Sequence, residues 1–391
     1  MIWFHWIAGS LLALAWFSRI VEAAFGMPHV TDVTSPEWNI KPACQGGDPR
    51  VSIIVPACNE EETIRETLRR LLLLDYANYE VLVVNDRSSD ATGAIIDDVS
   101  ASPEAHGILH AVHIQQLPPG WLGKTHAMWQ ASLRATGEWL LFTDADVLFK
   151  PDSLRRAIAY SEREKADHTV LFPFMIMKGP GERMMISFFQ TLFMFGHRPW
   201  KVADPKAKDH IGVGAFNLVR RSAYDAIGTY QALRMDVLDD MKLGKLIKNA
   251  GFRQRNVFGA DLISIRWAKG AMGVVRNLTK NFFAVLSFQW IRTLASVIGL
   301  AFLNWGPFLG LWLAHGWARL PYGVAVVSIL SIYVGMGLKS KIPFYYFFLH
   351  PLSTLFFVYT LLRSMTLTLW NGGVTWRGTK YPLDELRKGL A

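Results

Sequence analysis

Cysteine is scarce in this chain: Cys44 and Cys58 are the only two in 391 residues. That excludes a disulfide framework, and their spacing offers no C-x-x-C metal site. Charge is also scarce, at 19% of residues against 51% hydrophobic. The balance is too apolar for an ordinary soluble protein and too polar for membrane segments alone. The formal net charge is +9, yet no Lys/Arg run suggests nucleic-acid binding. Basic residues lie instead beside apolar segments, where they suit anionic lipid headgroups. Two phosphate-cradling devices are missing as well. No G-x-G-x-x-G turn follows the first strand-like run, which disfavours a dinucleotide-binding domain, and there is no Walker loop.

The apolar residues concentrate at the two ends. "MIWFHWIAGSLLALAWFS" carries no Lys, Arg, Asp or Glu before Arg19 and is nearly long enough to cross a bilayer. It has no basic n-region and no clear A-x-A site, so residues 1–25 are expected to be an uncleaved anchor. Three further apolar stretches, about 293–314, 321–338 and 344–368, make a membrane region of 291–370. "LKSKIP" reads as a cytoplasmic loop by the positive-inside rule, and the basic tail 371–391 also prefers the cytoplasm. These two signals conflict with four full spans, so 344–368, with Pro351 inside it, is expected to be interfacial or re-entrant. Between 266 and 290, Lys269, Arg276 and Lys280 share one helical face. This is the pattern of a basic amphipathic helix lying in the membrane interface.

The middle of the chain reads differently. Residues 26–49 have Pro and Gly without apolar periodicity and are expected to be a linker. "VSIIVP" and "YEVLVVND" are short, β-branched, continuous apolar runs, the pattern of strands buried on both faces. Helical segments follow each one, and two more strands, at 111–116 and 138–146, complete the alternation. The fold class is therefore α/β, with a mostly parallel sheet and helices on both faces. In such sheets ligands sit beyond the carboxyl ends of the strands. Three of those ends carry carboxylates here: Glu60, Asp86, and Asp144 with Asp146.

In "LLFTDADVLF", Asp144 and Asp146 either cap the next helix or hold something positive. Asp152 and Ser153 lie closer to that helix start and are expected to cap it. A D-x-D pair offers hard oxygen ligands to Mg²⁺ or Mn²⁺, ions that also bind substrate phosphates. In "VLDDMKLGKLIKNAGF", Asp239 and Asp240 open a helix that Gly251 ends.

"VSIIVPACNEEETI", "VLVVNDRSSDATG", "LLFTDADV" and "VLDDMKLG", in this order, resemble glycosyltransferase family 2, over about residues 50–290. The resemblance implies a GT-A fold for a domain at 50–265. It also implies inverting transfer of a sugar from a nucleotide-diphosphate donor, usually UDP, with Mg²⁺ or Mn²⁺. Carried over, Glu60, Asp86, Lys124 and Asp144 contact the nucleotide sugar, and Asp146 is the principal metal ligand, with Asp144 beside it. Asp240, next to Asp239, is the general base. Gly212 and Gly214 border the acceptor pocket, and Arg266 and Trp267 serve the diphosphate and the acceptor. Processive members carry Gln-x-x-Arg-Trp at this last place. Ile263 replaces that Gln, which argues against a polysaccharide synthase.

"LPPGWLGKTHAMWQA", the tail "VTWRGTKY" and the anchor–domain–anchor order resemble the membrane-bound hopene-associated glycosyltransferases, with carotenoid-type enzymes the near alternative. That likeness implies a hopanoid or other isoprenoid lipid acceptor, a bilayer as partner, no nucleic acid, and a bacterial inner-membrane location with the catalytic domain cytoplasmic. A catalytically inactive membrane scaffold would predict decay of the acidic motifs, and none is seen.

Overall fold

The structure is a computed structural model and describes residues 2–41, 47–259 and 261–389. Cys44 and the middle of the expected linker lie outside the described residues. The chain divides into two compact units. One gathers Val30–Ile176, Lys201–Arg266 and Thr375–Ala391; the other gathers Met1–His29, Met177–Trp200 and Trp267–Val374.

In chain order the strands are β1 (Val51–Ala57), β2 (Tyr79–Asp86), β3 (Leu109–Ile114), β4 (Trp139–Phe142), β5 (Val147–Phe149), β6 (His168–Phe172), β7 (Phe174–Met175), β8 (Asn217–Arg220), β9 (Gln254–Phe258), β10 (Ile263–Ile265), β11 (Gly373–Trp376) and β12 (Thr379–Pro382). The helices are α1 (Ile2–Gly26), α2 (Ile64–Leu72), α3 (Thr92–Ser100), α4 (Gly123–Arg134), α5 (Ser153–Arg163), α6 (Pro180–Gly196), α7 (Arg221–Ala226), α8 (Asp239–Asn249), α9 (Gly270–Val285), α10 (Trp290–Leu313), α11 (Leu320–Ser340), α12 (His350–Trp370) and α13 (Leu383–Lys388).

The first unit is built on a sheet of order β3-β2-β1-β4-β8-β6-β9. All pairings are parallel except those of β8, which runs antiparallel between β4 and β6. The continuous apolar strands follow from burial on both faces. In β1, Ile53 and Val55 pack with Ile64, Leu68 and Leu71 of α2. Ile54, pointing the other way, joins Ala127, Met128 and Ala131 of α4. At about 25 cal/mol per Å² of apolar surface, these two layers supply the main stabilisation of the unit. Strand order reverses at β1, whose neighbours β2 and β4 lie on opposite sides. The crevice beyond the carboxyl ends of β1, β2 and β4 is thus a topological switch point. A second, three-stranded sheet has the order β5-β10-β7.

Several expectations are corrected. Part of the segment 26–49, among its described residues, is packed on the α/β unit. Val33 and Trp38 are buried in the core, and Val33 N–H donates to Phe258 O at 2.8 Å, because two large apolar side chains gain more by packing than by solvation. Residues 177–200, expected inside the 50–265 domain, cluster with the apolar helices, and the tail clusters with the α/β unit. Asp152 stands at the N-cap of α5 but makes no cap bond; its carboxylate accepts from Arg156 Nε at 2.6 Å instead, where a charged donor outcompetes an amide.

Among the described residues, the second unit contains four helices long and apolar enough to cross a membrane: Ile2–His29, Trp290–Leu313, Gly316–Leu338 and Phe344–Trp370. α1 packs closely on α11, where Gly9 admits Pro321. Outward residues such as Trp3, Leu14, Ile298 and Trp312 are more than half exposed. That surface suits hydrocarbon and not water. Pro351 does not interrupt the last stretch. It falls in the first turn of α12, where its missing N–H costs nothing, after a 3₁₀ segment at Phe344–Leu349. Lys269, at the N-cap of α9, and Arg276 are exposed and Lys280 is half-buried, but the apolar face of α9 is not left for lipid. Val274, Val275 and Leu278 are buried, and the helix packs on α6 and α12.

Candidate active site

The loops leaving β1, β2 and β4 bring the predicted acids together. After β1, Asn59 takes a left-handed conformation (φ 54°), which a non-glycine residue adopts at some cost but Asn tolerates. Its Oδ1 accepts Ser89 N–H at 2.8 Å, and Glu60 N–H donates to Thr92 Oγ1 at 2.7 Å. These bonds tie the β1 loop to the β2 loop. Burial raises the pKa of Glu60, and Arg377 opposes that rise. After β2, Asp86 is buried and held by Arg87 through two bonds, Nε–Oδ1 at 2.8 Å and Nη2–Oδ2 at 3.1 Å.

Lys124 sits in the first turn of α4, where the helix dipole disfavours a cation. The surrounding acids explain its presence. Nζ lies 2.7 Å from Asp144 Oδ1 and 3.7 Å from Asp239 Oδ2. Burial alone would lower its pKa, but Asp144, Asp239 and Asp240 outweigh that and keep it charged. Lys124 therefore links the end of β4 to the start of α8.

The glycine-rich segment runs between the same two elements. Asp144 N–H donates to Gly214 O at 3.0 Å, and Gly214 N–H donates to Asp240 Oδ2 at 2.8 Å. A Cβ on Gly214 would stand 2.5 Å from Asp144 Oδ2, and one on Gly212 would overlap the Asp240 carbonyl. The room at both positions is taken by the acids themselves. Asp239 is buried, whereas Asp240 is partly open. Burial raises the pKa of both, with Lys124 opposing.

Asp146 is pushed up to about 7 by burial, then by Asp144 and Glu60. Burial and mutual repulsion oppose the ionisation of these acids together, and a further positive charge would favour it. Asp144 and Asp146 therefore fit a divalent cation by their hard oxygens and by the raised pKa of Asp146, which a cation would lower. The fit is to an ion completed by phosphates and water, since among the described residues no cluster of three metal-ligating side chains is found. The antiparallel register Ile265↔Val147 brings Arg266 one step further on, beside the Asp146 end of β5. Trp267 belongs to the other unit, where its ring lies 5.0 Å from Phe189 and its carbonyl accepts from Asn277 Nδ2.

Sequence reasoning passed over Arg87, Arg377 and Tyr381. Arg87 was readable, since it directly follows Asp86. The other two lie in the tail, and nothing local links them to residues 59–123.

The α/β unit has the GT-A fold, and the chain is a glycosyltransferase. Residues 52–228 match the sequence model of glycosyl transferase family 2. The chain is 22% identical over 345 residues to a 4,4'-diaponeurosporenoate glycosyltransferase of Staphylococcus aureus (strain MRSA252), covering 86% of this chain and 89% of that one. The likeness extends to the structure of the mannosyltransferase PcManGT from Pyrobaculum calidifontis, in complex with GDP-Man and Mn²⁺. There the TM-score is 0.53 at 19% identity, covering 94% of this chain and 99% of that one.

Proposed function

We propose that this enzyme is a membrane-bound inverting glycosyltransferase. It transfers one sugar from a nucleotide-diphosphate donor, with UDP the leading nucleotide, to the hydroxyl of an isoprenoid lipid, hopanoid or carotenoid in type. The observation that carries the reading is the gathering of Asp144, Asp239 and Asp240 around Lys124 at the switch point of the sheet. The relative's named carotenoid-type substrate and the four apolar helices support a lipid acceptor and an inner-membrane location.

In this reading Glu60 and Asp86 accept hydrogen bonds from the nucleoside, because ionised carboxylates act only as acceptors. Lys124 and Arg266 face the diphosphate, and Gly212 and Gly214 border the acceptor. Asp240, the more open of its pair, takes the proton from the acceptor hydroxyl. The acceptor oxygen bonds to the anomeric carbon, and the electron pair of the breaking C–O bond leaves with the diphosphate. Asp239 holds Lys124 in place. A divalent ion on Asp146 and Asp144, Mg²⁺ or Mn²⁺, would neutralise the departing diphosphate. Ile263, fully buried in β10 opposite Phe149, has no polar group for a growing polymer, which favours single transfer.

The test is direct. Purified protein in detergent is incubated with UDP- and GDP-sugars, Mn²⁺ and hydroxylated isoprenoid lipids, and products are identified by mass. One added hexose per lipid, absent with Asp240→Asn, is the expected result. Long polymers, or full transfer by Asp240→Asn, would sink the reading.

A further inference from the structure

The tail returns to the α/β unit and docks on its functional rim. Leu386 is fully buried, Tyr381 and Leu383 nearly so, and Gly389 lies against Met235 so closely that a Cβ would overlap it. β11 and β12 pair through a two-residue turn, Arg377–Gly378, with φ of 48° and 79°. Both signs are those of a type I′ hairpin turn, in which glycine suits the second position and an arginine at the first is unusual. A side chain kept where its backbone is disfavoured is a place to look for function.

Four contacts fix where that turn points. Arg377 Nη1 donates to Asn59 O at 3.0 Å, and its Nη2 pairs with Glu60 Oε1. Arg87 Nη1 donates to Thr379 Oγ1 at 3.4 Å. Gly123 N–H, one residue before Lys124, donates to the Tyr381 hydroxyl at 3.0 Å. The hairpin thus spans the loop that carries Glu60, the end of β2 with Asp86 and the start of α4 with Lys124. Charge gives it a task. Glu60, Asp86, Asp144, Asp146, Asp239 and Asp240 outnumber Lys124, Arg87 and Arg266 on this rim, and an anionic donor must enter there.

We infer that Arg377 is a donor-binding residue, supplied to the nucleotide site from the C-terminal hairpin and held ready by Glu60, with Tyr381 seating the hairpin on α4. The inference rests on the proposed donor class. A guanidinium presents a planar fork of donors matched to phosphate oxygens. Arg377 remains partly exposed, with 43% of its side chain accessible, so it can engage a ligand without leaving the fold.

Binding of UDP with Mn²⁺ to the full chain in detergent is measured by calorimetry for wild type, Arg377→Ala, Arg377→Lys and Lys380→Ala. The expected result is a tenfold to hundredfold weakening for Arg377→Ala, about the worth of a charge-assisted contact. A smaller loss is expected for Arg377→Lys, and no more than about twofold for Lys380→Ala, an exposed cation on the same hairpin. In turnover the donor KM rises while kcat at saturating donor stays within about threefold. UDP with Mn²⁺ slows tryptic cleavage after Arg377. If Arg377→Ala misfolds, judged by its melting curve, Arg377→Lys decides the matter by its own smaller loss, measured against Lys380→Ala. Equal or tighter binding by a folded Arg377 variant overturns this inference and leaves the proposed function standing. A wild type that binds neither UDP nor GDP overturns both.

Discussion

Removing the charge of Asp146 should stabilise the ligand-free protein at alkaline pH. Burial, Asp144 and Glu60 lift its pKa from 3.8 to about 7. A raised carboxylate pKa means that the folded state binds the proton more tightly than the unfolded chain does. Its stabilising effect is complete below about pH 4 and is lost as pH rises through 7. A shift of about three units corresponds to roughly 4 kcal/mol as an upper bound, at ~1.4 kcal/mol per unit. Neighbouring acids share the strain, so ~1–3 kcal/mol is the working figure. Asp146→Asn should raise Tm at pH 8 by about 3–10 °C for a unit of this size, and by only about a third as much at pH 5, where the folded carboxyl is still neutral but the unfolded one is ionised. Mn²⁺ should raise the wild-type Tm at pH 8 and do so less at pH 5, where protons compete for the same oxygens. The variant should lose that response and its transfer activity together. Differential scanning fluorimetry in detergent, at both pH values with and without Mn²⁺, reads all four states. A variant less stable than wild type at pH 8, or one with an undiminished Mn²⁺ response, would refute the argument.

The other predictions concern neighbouring groups. Asp240→Asn should cut transfer by about 10²–10⁴, the usual worth of a general base, while calorimetry finds UDP binding unchanged. Burial raises the Asp240 pKa, so the acid limb of kcat/KM should lie above the ordinary aspartate range. Lys124→Met removes the cation that lowers that pKa and should move the limb further up, as well as destabilise the unit by ~3–5 kcal/mol in denaturant titration. Gly214→Ala places a methyl 2.5 Å from Asp144 Oδ2 and should abolish transfer with a melting point within a few degrees of wild type.

Legibility followed the range of the contacts. The strands could be read because burial on both faces leaves a local mark, a continuous apolar run, and because the switch-point rule converts strand ends into a site. Glu60, Asp86, Asp144 and Asp146 were all legible this way. Helix α9 was legible as amphipathic, but not in what covers it. A stripe of Val274, Val275 and Leu278 has the same spacing whether lipid or α12 lies opposite. Asp152 was legible as a cap by position, yet Arg156, one turn on, competes for the same carboxylate. Trp38 and Val33 sit among prolines and glycines with no periodicity, so their burial leaves no pattern to find.

The tail is the strongest case of non-local information. "WRGTKY" contains a turn signal in Gly378, but the partners of its Arg and Tyr are Glu60 and Gly123, more than 250 residues away in sequence. Loop-closure entropy grows only slowly with such length, so distance in sequence is no obstacle to a stable contact. The apolar helices between 267 and 374 intervene in the chain and belong to the other unit, leaving the α/β unit to be closed by residues of the tail. Charge supplies the reason for the closure. A crevice rich in acids attracts cations whether or not they are bound ions. Lys124 answers Asp144 and Asp239 from within the sheet's own helices, and Arg377 answers Glu60 from the end of the chain. The acids that make the site legible in the sequence thereby also select its least legible member.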